Sequence, residues 1–259
     1  MKFRPFFLLS ALLFVSVALR AAELPALWAE RVKSIVAVEY VTETETERQP
    51  TISMGTVIDQ NGTIILPSGS IDPRAATWQL KDFKVYLPGD ANSTPAEYLG
   101  QDAYTGWHFV RVGEKIRDRL TPITTFAAKG APVVPALADF VWGLGLRTKD
   151  EDFAPYIMQS HMALIQSLPQ STGIAQQEVA GPGLPVFNRD GTLVGLAVAS
   201  FGNSYLQLGR GNRPQPVLLI NVEESSVFLL AGEVLPYFNR IPKSVSGRPL
   251  AWLGAYGLE

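Results

Sequence analysis

The sequence predicts an all-β protein, a barrel or sandwich of many short strands with a short helix towards each end. Three observations carry this expectation. Apolar, β-branched runs recur along the chain, separated by Gly, Pro, Asp and Asn at intervals of roughly eight to twelve residues. Two turn dipeptides, Asn61-Gly62 and Asp190-Gly191, each sit between such runs and supply the φ > 0 positions that a tight hairpin needs. Only two segments carry their apolar residues at helical spacing instead.

The first is Leu24–Ala37, where Leu24, Leu27, Trp28, Val32 and Ile35 recur at roughly helical spacing before the chain turns β-like over Ser34–Val41. Thr42–Arg48 alternates Thr with Glu and reads as a solvated hairpin tip rather than a cation site. Thr51–Asp59 and Thr63–Leu66 flank Asn61-Gly62 as strand, turn and strand, and Pro67–Ala76 follows as a loop. Further strands are predicted at Lys84–Leu87, Ala96–Gly100, Trp107–Val112, Phe140–Leu144, Tyr156–Ile165 and Val217–Asn221. Lys115–Leu137 mixes apolar and Pro residues without a period and reads as a bridge between two halves. Gly209–Pro216 reads as an exposed loop.

Val179–Val198 is the most informative stretch. Leu184–Phe187, the Asn188-Arg189-Asp190-Gly191 turn and Leu193–Ala199 form a buried hairpin, and Ala180–Pro185 is too rich in Gly and Pro to be anything but a shaped loop leading onto it. Near the end, Val227, Leu230, Ala231, Val234, Leu235 and Phe238 trace one helical face, which predicts a helix over Glu223–Phe238. Pro249–Glu259 begins like a strand and stops.

Composition narrows the class. The 259 residues are 47% hydrophobic and 18% charged, which suits a folded chain that buries a sizeable core. Residues 1–22 have the layout of a cleavable secretory signal: Lys2 and Arg4, an apolar run Phe6–Ala18, then Arg20-Ala21-Ala22. An uncleaved signal would instead anchor the chain to a membrane. Cleavage removes three cations and moves the formal charge from −2 to −5, a poor match for nucleic acid or for stable membrane association. The chain has no cysteine, which excludes disulfides, thiolate catalysis and Cys-based metal sites.

Three segments, in order, resemble the trypsin-like serine proteases of the HtrA/DegP family. Gly55–Ile71 is similar to the block around that family's catalytic His, Asp102–Val112 to the block around its Asp, and Gly181–Gly195 to its nucleophile loop and hairpin. In the last of these Gly183, Pro185, Asn188, Gly191 and Gly195 match. Ala138–Leu146 sits where the family has a Gly-Asn-Pro-Phe-Gly-Leu turn, and Trp252-Leu253-Gly254 resembles the first strand of a PDZ domain. The resemblance implies a chymotrypsin/trypsin-like double β-barrel over residues 23–245, its halves meeting near 115–137, with 246–259 as a PDZ-like tail. It also implies a homotrimer built on N-terminal aromatic contacts, for which Trp28 is the local candidate.

The departures decide the chemistry. The resemblance places the three catalytic positions on Gly69, Gly106 and Pro182. A serine nucleophile needs a hydroxyl, a base to take its proton and a carboxylate to orient that base, and none of these residues provides one. Pro182 also lacks the N–H that would serve as an oxyanion donor. That leaves His108, Gly181, Gly183 and Leu184 as candidates to line a binding cleft. His108 lies two residues beyond Gly106, so strand alternation puts both on one face. His161 lies in an apolar strand, and Ser160, Ser167, Ser171 and Ser200 lack a nucleophile-elbow setting.

Other chemistries find less support. Gly143-x-Gly145, Gly181-x-Gly183 and Gly209-x-Gly211 lack the third glycine of a dinucleotide site, and two separated histidines do not make a zinc site. Asp150-Glu151-Asp152 lacks calcium-loop spacing. The expectation is therefore an exported, catalytically inactive trypsin-like protein, without metal or cofactor, that binds peptides, unfolded protein or a partner protein. The alternatives are a hydrolase using His108 or His161, and a structural remnant of a truncated protease–PDZ protein whose terminal strand Leu250–Tyr256 is exposed.

Overall fold

The computed structural model describes residues 24–198 and 224–243. The signal-like segment 1–22, the strand expected at Val217–Asn221, the loop Gly209–Pro216 and the PDZ-like tail all lie outside the described residues. Residues 24–31 form helix α1 and pass through a 3-10 turn, Val32–Ser34, into the first strand.

The strands close into two six-stranded antiparallel barrels. Barrel one contains β1 (Ile35–Glu43), β2 (Arg48–Val57), β3 (Thr63–Leu66), β4 (Leu80–Tyr86), β5 (Ser93–Gln101) and β6 (His108–Val112), in the order β1-β2-β3-β6-β5-β4. Barrel two contains β7 (Phe140–Leu146), β8 (Pro155–Gln166), β9 (Thr172–Ala175), β10 (Pro185–Asn188), β11 (Leu193–Ala197) and β12 (Val227–Leu230), in the order β10-β11-β12-β9-β8-β7. Short 3-10 turns at Glu114–Arg119 and Ile123–Phe126 lie on the connection between them. This is the architecture of a chymotrypsin-like double-barrel fold.

Both turn dipeptides close their hairpins by the same device. The Asp59 carboxylate accepts the N–H groups of Asn61 and Thr63, and the Asn188 side-chain oxygen accepts those of Asp190 and Thr192. Gly62 and Gly191 each take φ of +72°, where a Cβ would be strained. The strands of barrel one alternate between two cores. Val36, Val38, Tyr40, Ile64, Leu66, Val110 and Val112 fill its interior, while Ile35, Ala37, Ile65 and Phe109 face barrel two and join a cluster that includes Trp142, Leu144, Phe187 and Phe228. Trp28 of α1 packs partly buried against that same cluster.

The C-terminal expectation needs correction. Glu223–Phe238 is not one helix: Val227–Leu230 is strand β12, pairing with β11 and β9, and only then do a single turn α2 (Ala231–Val234) and a 3-10 turn (Leu235–Asn239) follow. A fully buried strand is apolar on both faces, so its residues satisfy a helical template as well as a β one. Strand β9 was not anticipated either, being short and containing Gly173. That glycine is needed because a Cβ there would stand 2.5 Å from the Phe228 ring.

Gly195 shows how tightly barrel two is closed. A Cβ on it would lie 2.1 Å from the Leu229 carbonyl oxygen of the neighbouring strand. Backbone cannot yield as a side-chain tip does, so Gly195→Ala is expected to destabilise the protein by roughly 2–3 kcal/mol, the upper range for overpacking. Chemical denaturation of the two proteins side by side measures it.

Candidate functional site

The resemblance singled out three turns, and the fold brings them together at the junction of the barrels. The first, Pro67–Ser70, leaves β3 and tightens into a 3-10 turn closed by Ser70 N–H to the Pro67 carbonyl at 3.0 Å. Tyr40 donates to the Ser70 carbonyl at 2.7 Å, and the Ser53 and Ser70 hydroxyls are also 2.7 Å apart. Gly69 sits at the exposed tip, where a Cβ would meet nothing within 4 Å.

The second turn joins β5 to β6. The Asp102 carboxylate accepts the N–H and hydroxyl of Thr105, and Gly106 N–H donates to the Asp102 carbonyl at 2.8 Å. Gly106 takes φ of +74°, and a Cβ on it would lie 3.1 Å from Ser68 Cβ. The third is the lead-in to β10. Gly183 has φ of +86°, its Cβ would meet the Met54 carbonyl and the Pro67 ring at 2.7 Å, and Thr56 Oγ1 donates to its carbonyl at 2.6 Å. The first turn thus touches both of the others.

The chemistry at this junction is sparse. Gly69, Gly106 and Pro182 contribute no nucleophile, base or carboxylate. The backbone of the third turn is equally occupied. Val179 and Ala180 donate their N–H groups to the Ser225 carbonyl at 2.8 and 3.3 Å, and Gly181 donates to Leu144 at 3.0 Å. Gly183 donates to Ala197 at 2.8 Å and Leu184 to Gly181 at 2.9 Å, while Pro182 has no N–H. An oxyanion hole needs two preorganised donors aimed outward. From Val179 to Leu184 every donor points into the protein.

The candidate cleft residues are not gathered at one surface. Leu184 is fully buried in the core shared by the barrels, and Gly181 and Gly183 are buried as backbone spacers. His108 is 3% exposed and shares the face of Val110 and Val112, so its ring points into barrel one rather than towards Pro182. Its Nδ1 lies 2.9 Å from the Tyr98 hydroxyl, and its Nε2 is buried without a hydrogen-bond partner among the described residues. His161 is exposed on β8, stacked edge-on to Phe140, far from His108 in the fold. Ser160 is buried and accepts the Gln177 N–H at 3.0 Å. No group of three His, Cys, Asp or Glu side chains that could hold a metal occurs among the described residues.

Two features of this region carry no signal in the sequence. A cavity of about 390 Å³ lies between β2 and the β7–β8 hairpin, with Ala37, Ile52, Met54, Leu146 and Phe153 among its walls. Lys149, one of its wall residues, donates to the buried Glu39 carboxylate, which also accepts from Tyr86 at 2.8 Å; these bonds overcome the upward push of burial and hold the Glu39 pKa low. A second, more polar groove of about 790 Å³ runs between the β1–β2 hairpin and the loop 69–79, with Thr42, Gln49, Thr51, Ser70 and Asp72 in its walls.

Comparison with protein-family models and with curated proteins yields no match. No helix among the described residues is long and apolar enough to cross a membrane.

Burial pushes the His108 pKa down to about 4, and the nearby Ser68 backbone opposes this only in part. Because the folded value lies below the unfolded value of about 6.5, the native state resists protonation that the unfolded chain accepts. This group's contribution is intact above pH 6.5 and is lost as the pH falls towards 4. The expected loss is about 3 kcal/mol at 1.36 kcal/mol per unit. His108→Gln should shrink the fall in unfolding free energy between pH 7 and pH 4 by about that much. Equal pH profiles for the two proteins would contradict the assignment.

Proposed function

We propose that this protein is a non-catalytic relative of trypsin-like proteases of the HtrA/DegP type, exported from the cytoplasm, that binds extended peptide segments of unfolded or partner proteins without cleaving them. The observation that carries the proposal is the third turn. Its side chains supply no nucleophile, and each of its remaining N–H groups is already bonded to a protein carbonyl. Restoring activity would therefore require a different backbone, not three side chains.

Support for binding comes from what the junction retains. The turns still converge on the seam between the barrels, and Gly69 and Ser70 of the first turn line part of the polar groove. Pocket walls of mixed apolar and hydrogen-bonding character suit a polypeptide better than a small apolar ligand. Export rests on the signal-like layout of residues 1–22, and a trimeric assembly remains the expectation drawn from the resemblance.

Two experiments test this reading. The purified protein should degrade no unfolded casein and take no label from a serine-directed fluorophosphonate, while retarding a fluorescent unfolded polypeptide in anisotropy. Labelling at any serine would overturn it. The triple variant Gly69→His, Gly106→Asp, Pro182→Ser should stay inactive as well, because Ala180 N–H remains committed to Ser225. Cleavage by that variant above the wild-type background would show that the loop can open.

A further inference from the structure

Among the described residues the arginines are committed to partners, with two exceptions. Arg48, Arg74, Arg119 and Arg240 pair with carboxylates, Arg31 donates to the Gly191 carbonyl, and Arg147 and Arg189 lie over aromatic rings. Arg117 has only a 3.8 Å approach to Glu114, a side chain that is 89% exposed. Arg111 makes no side-chain hydrogen bond, ion pair or ring contact with any described residue.

The two exceptions meet in one place. Arg111 of β6 and Arg117 of the 3-10 turn that follows both line a cavity of about 340 Å³, together with Pro95, Ala96 and Glu97 of β5. It lies at the end of β3 and β6 opposite the three turns. The Nε atom of each arginine is buried and has no acceptor among the described residues. A Cβ on Gly62 would lie 3.2 Å from Arg117 Cγ, which places that stem against the Asn61-Gly62 turn, and Arg111 is fixed in β6 between Thr63 and Glu97. Thr63 adds a third atom of this kind, since its buried hydroxyl also has no partner. Three groups able to donate therefore stand at the end of β6, and no described residue offers them an acceptor.

Buried donors without acceptors are costly, and two guanidinium groups lining one cavity repel each other, so an oxyanion between them relieves both. The planar fork of arginine suits such an anion, because its N–H groups reach two oxygens at once. We propose that this cavity binds a tetrahedral oxyanion, a phosphate or sulfate group, free or as the monoester of a small molecule, held by Arg111 and Arg117 with the Thr63 hydroxyl beside them. The surroundings limit the ligand. A volume of about 340 Å³ lies at the low end for ligand pockets and leaves room for the anion and a few carbon atoms. Glu97 and Glu114 stand exposed in the walls, and their charges repel a polyanionic strand or an anionic membrane more than a single small anion.

The test uses the whole protein in chloride buffer, titrated at constant ionic strength with inorganic phosphate, sulfate or glycerol phosphate. Phosphate and sulfate stabilise most proteins by exclusion from their surfaces, so the readouts are calorimetric affinity and the Nε–H resonances of Arg111 and Arg117 rather than Tm. Both resonances should shift and saturate. Arg111→Gln and Arg117→Gln should each lower affinity about tenfold, and Arg117→Lys, which keeps the charge and loses the fork, should lower it less. Thr63→Val should weaken binding about threefold yet leave the unliganded protein at least as stable as the wild type, because the hydroxyl it removes has no partner there. The tightest of the three ligands identifies the source of the anion. Resonances that do not move, or affinities that the arginine variants leave unchanged, would overturn the site. Arginine-dependent binding to phosphatidic acid vesicles, with no response to the soluble anions, would overturn it too and assign the arginines to a membrane surface.

Discussion

Gly183 is a point at which the two barrels touch through backbone, and much of the site follows from that contact. With φ of +86° it brings its α-carbon against the Met54 carbonyl and the Pro67 ring, and its own carbonyl takes the Thr56 hydroxyl of β2. A chain held this closely cannot rotate its peptide planes independently. Pro182 fixes φ on one side and the fully buried Leu184 fixes the side chain on the other. The donors from Val179 to Leu184 are consequently aimed where the seam needs them, into Ser225, Leu144 and Ala197. Buried N–H groups left without partners are costly, so this arrangement is stable in itself and leaves none over for a ligand.

The seam is clamped on two sides. On one, Arg240 reaches the Asp102 carboxylate at 2.8 Å while Tyr237 stacks edge-on against Trp107, tying the end of barrel two to the β5–β6 turn. Burial would raise Asp102, but the bonds from Arg240 and Thr105 outweigh it and hold the group ionised. On the other, Lys149 at the tip of the β7–β8 hairpin reaches Glu39 of β1 and lies over the Tyr86 ring. Both carboxylates are nearly buried while their cationic partners are about half exposed, so each pair acts chiefly by preventing an unpaired buried charge.

How far this was legible in the sequence depends on the range of the interaction responsible. Asn61-Gly62 and Asp190-Gly191 declare their hairpins because a tight turn is a local event with local chemistry. The coincidence of the three turns is legible only as resemblance, since nothing within Gly55–Ile71 states that Pro67 will meet Gly183. β12 was misread because an apolar run buried on all sides has no preferred period. His108 was expected to share the face of Gly106. The +74° turn at Gly106 breaks the alternation there, and β6 then delivers the ring into barrel one beside Tyr98. The stretch of β2 that no described strand pairs with on its outer side left no trace at all, because it follows from the shortness of β3.

That length mismatch also bears on how the edge is tolerated. Closing a barrel normally removes free edges, and a long exposed one invites association. Here the outer half of the overhang carries Arg48 and Pro50, a charge and a residue without an N–H, both exposed, which blunts indiscriminate pairing. The inner half is bounded by Gly183, which packs against the Met54 carbonyl. Between the two lies a short stretch around Ile52 that no other described strand pairs with on its outer side. A barrel whose overhang is trimmed in this way limits the indiscriminate edge-to-edge pairing that a long exposed strand invites.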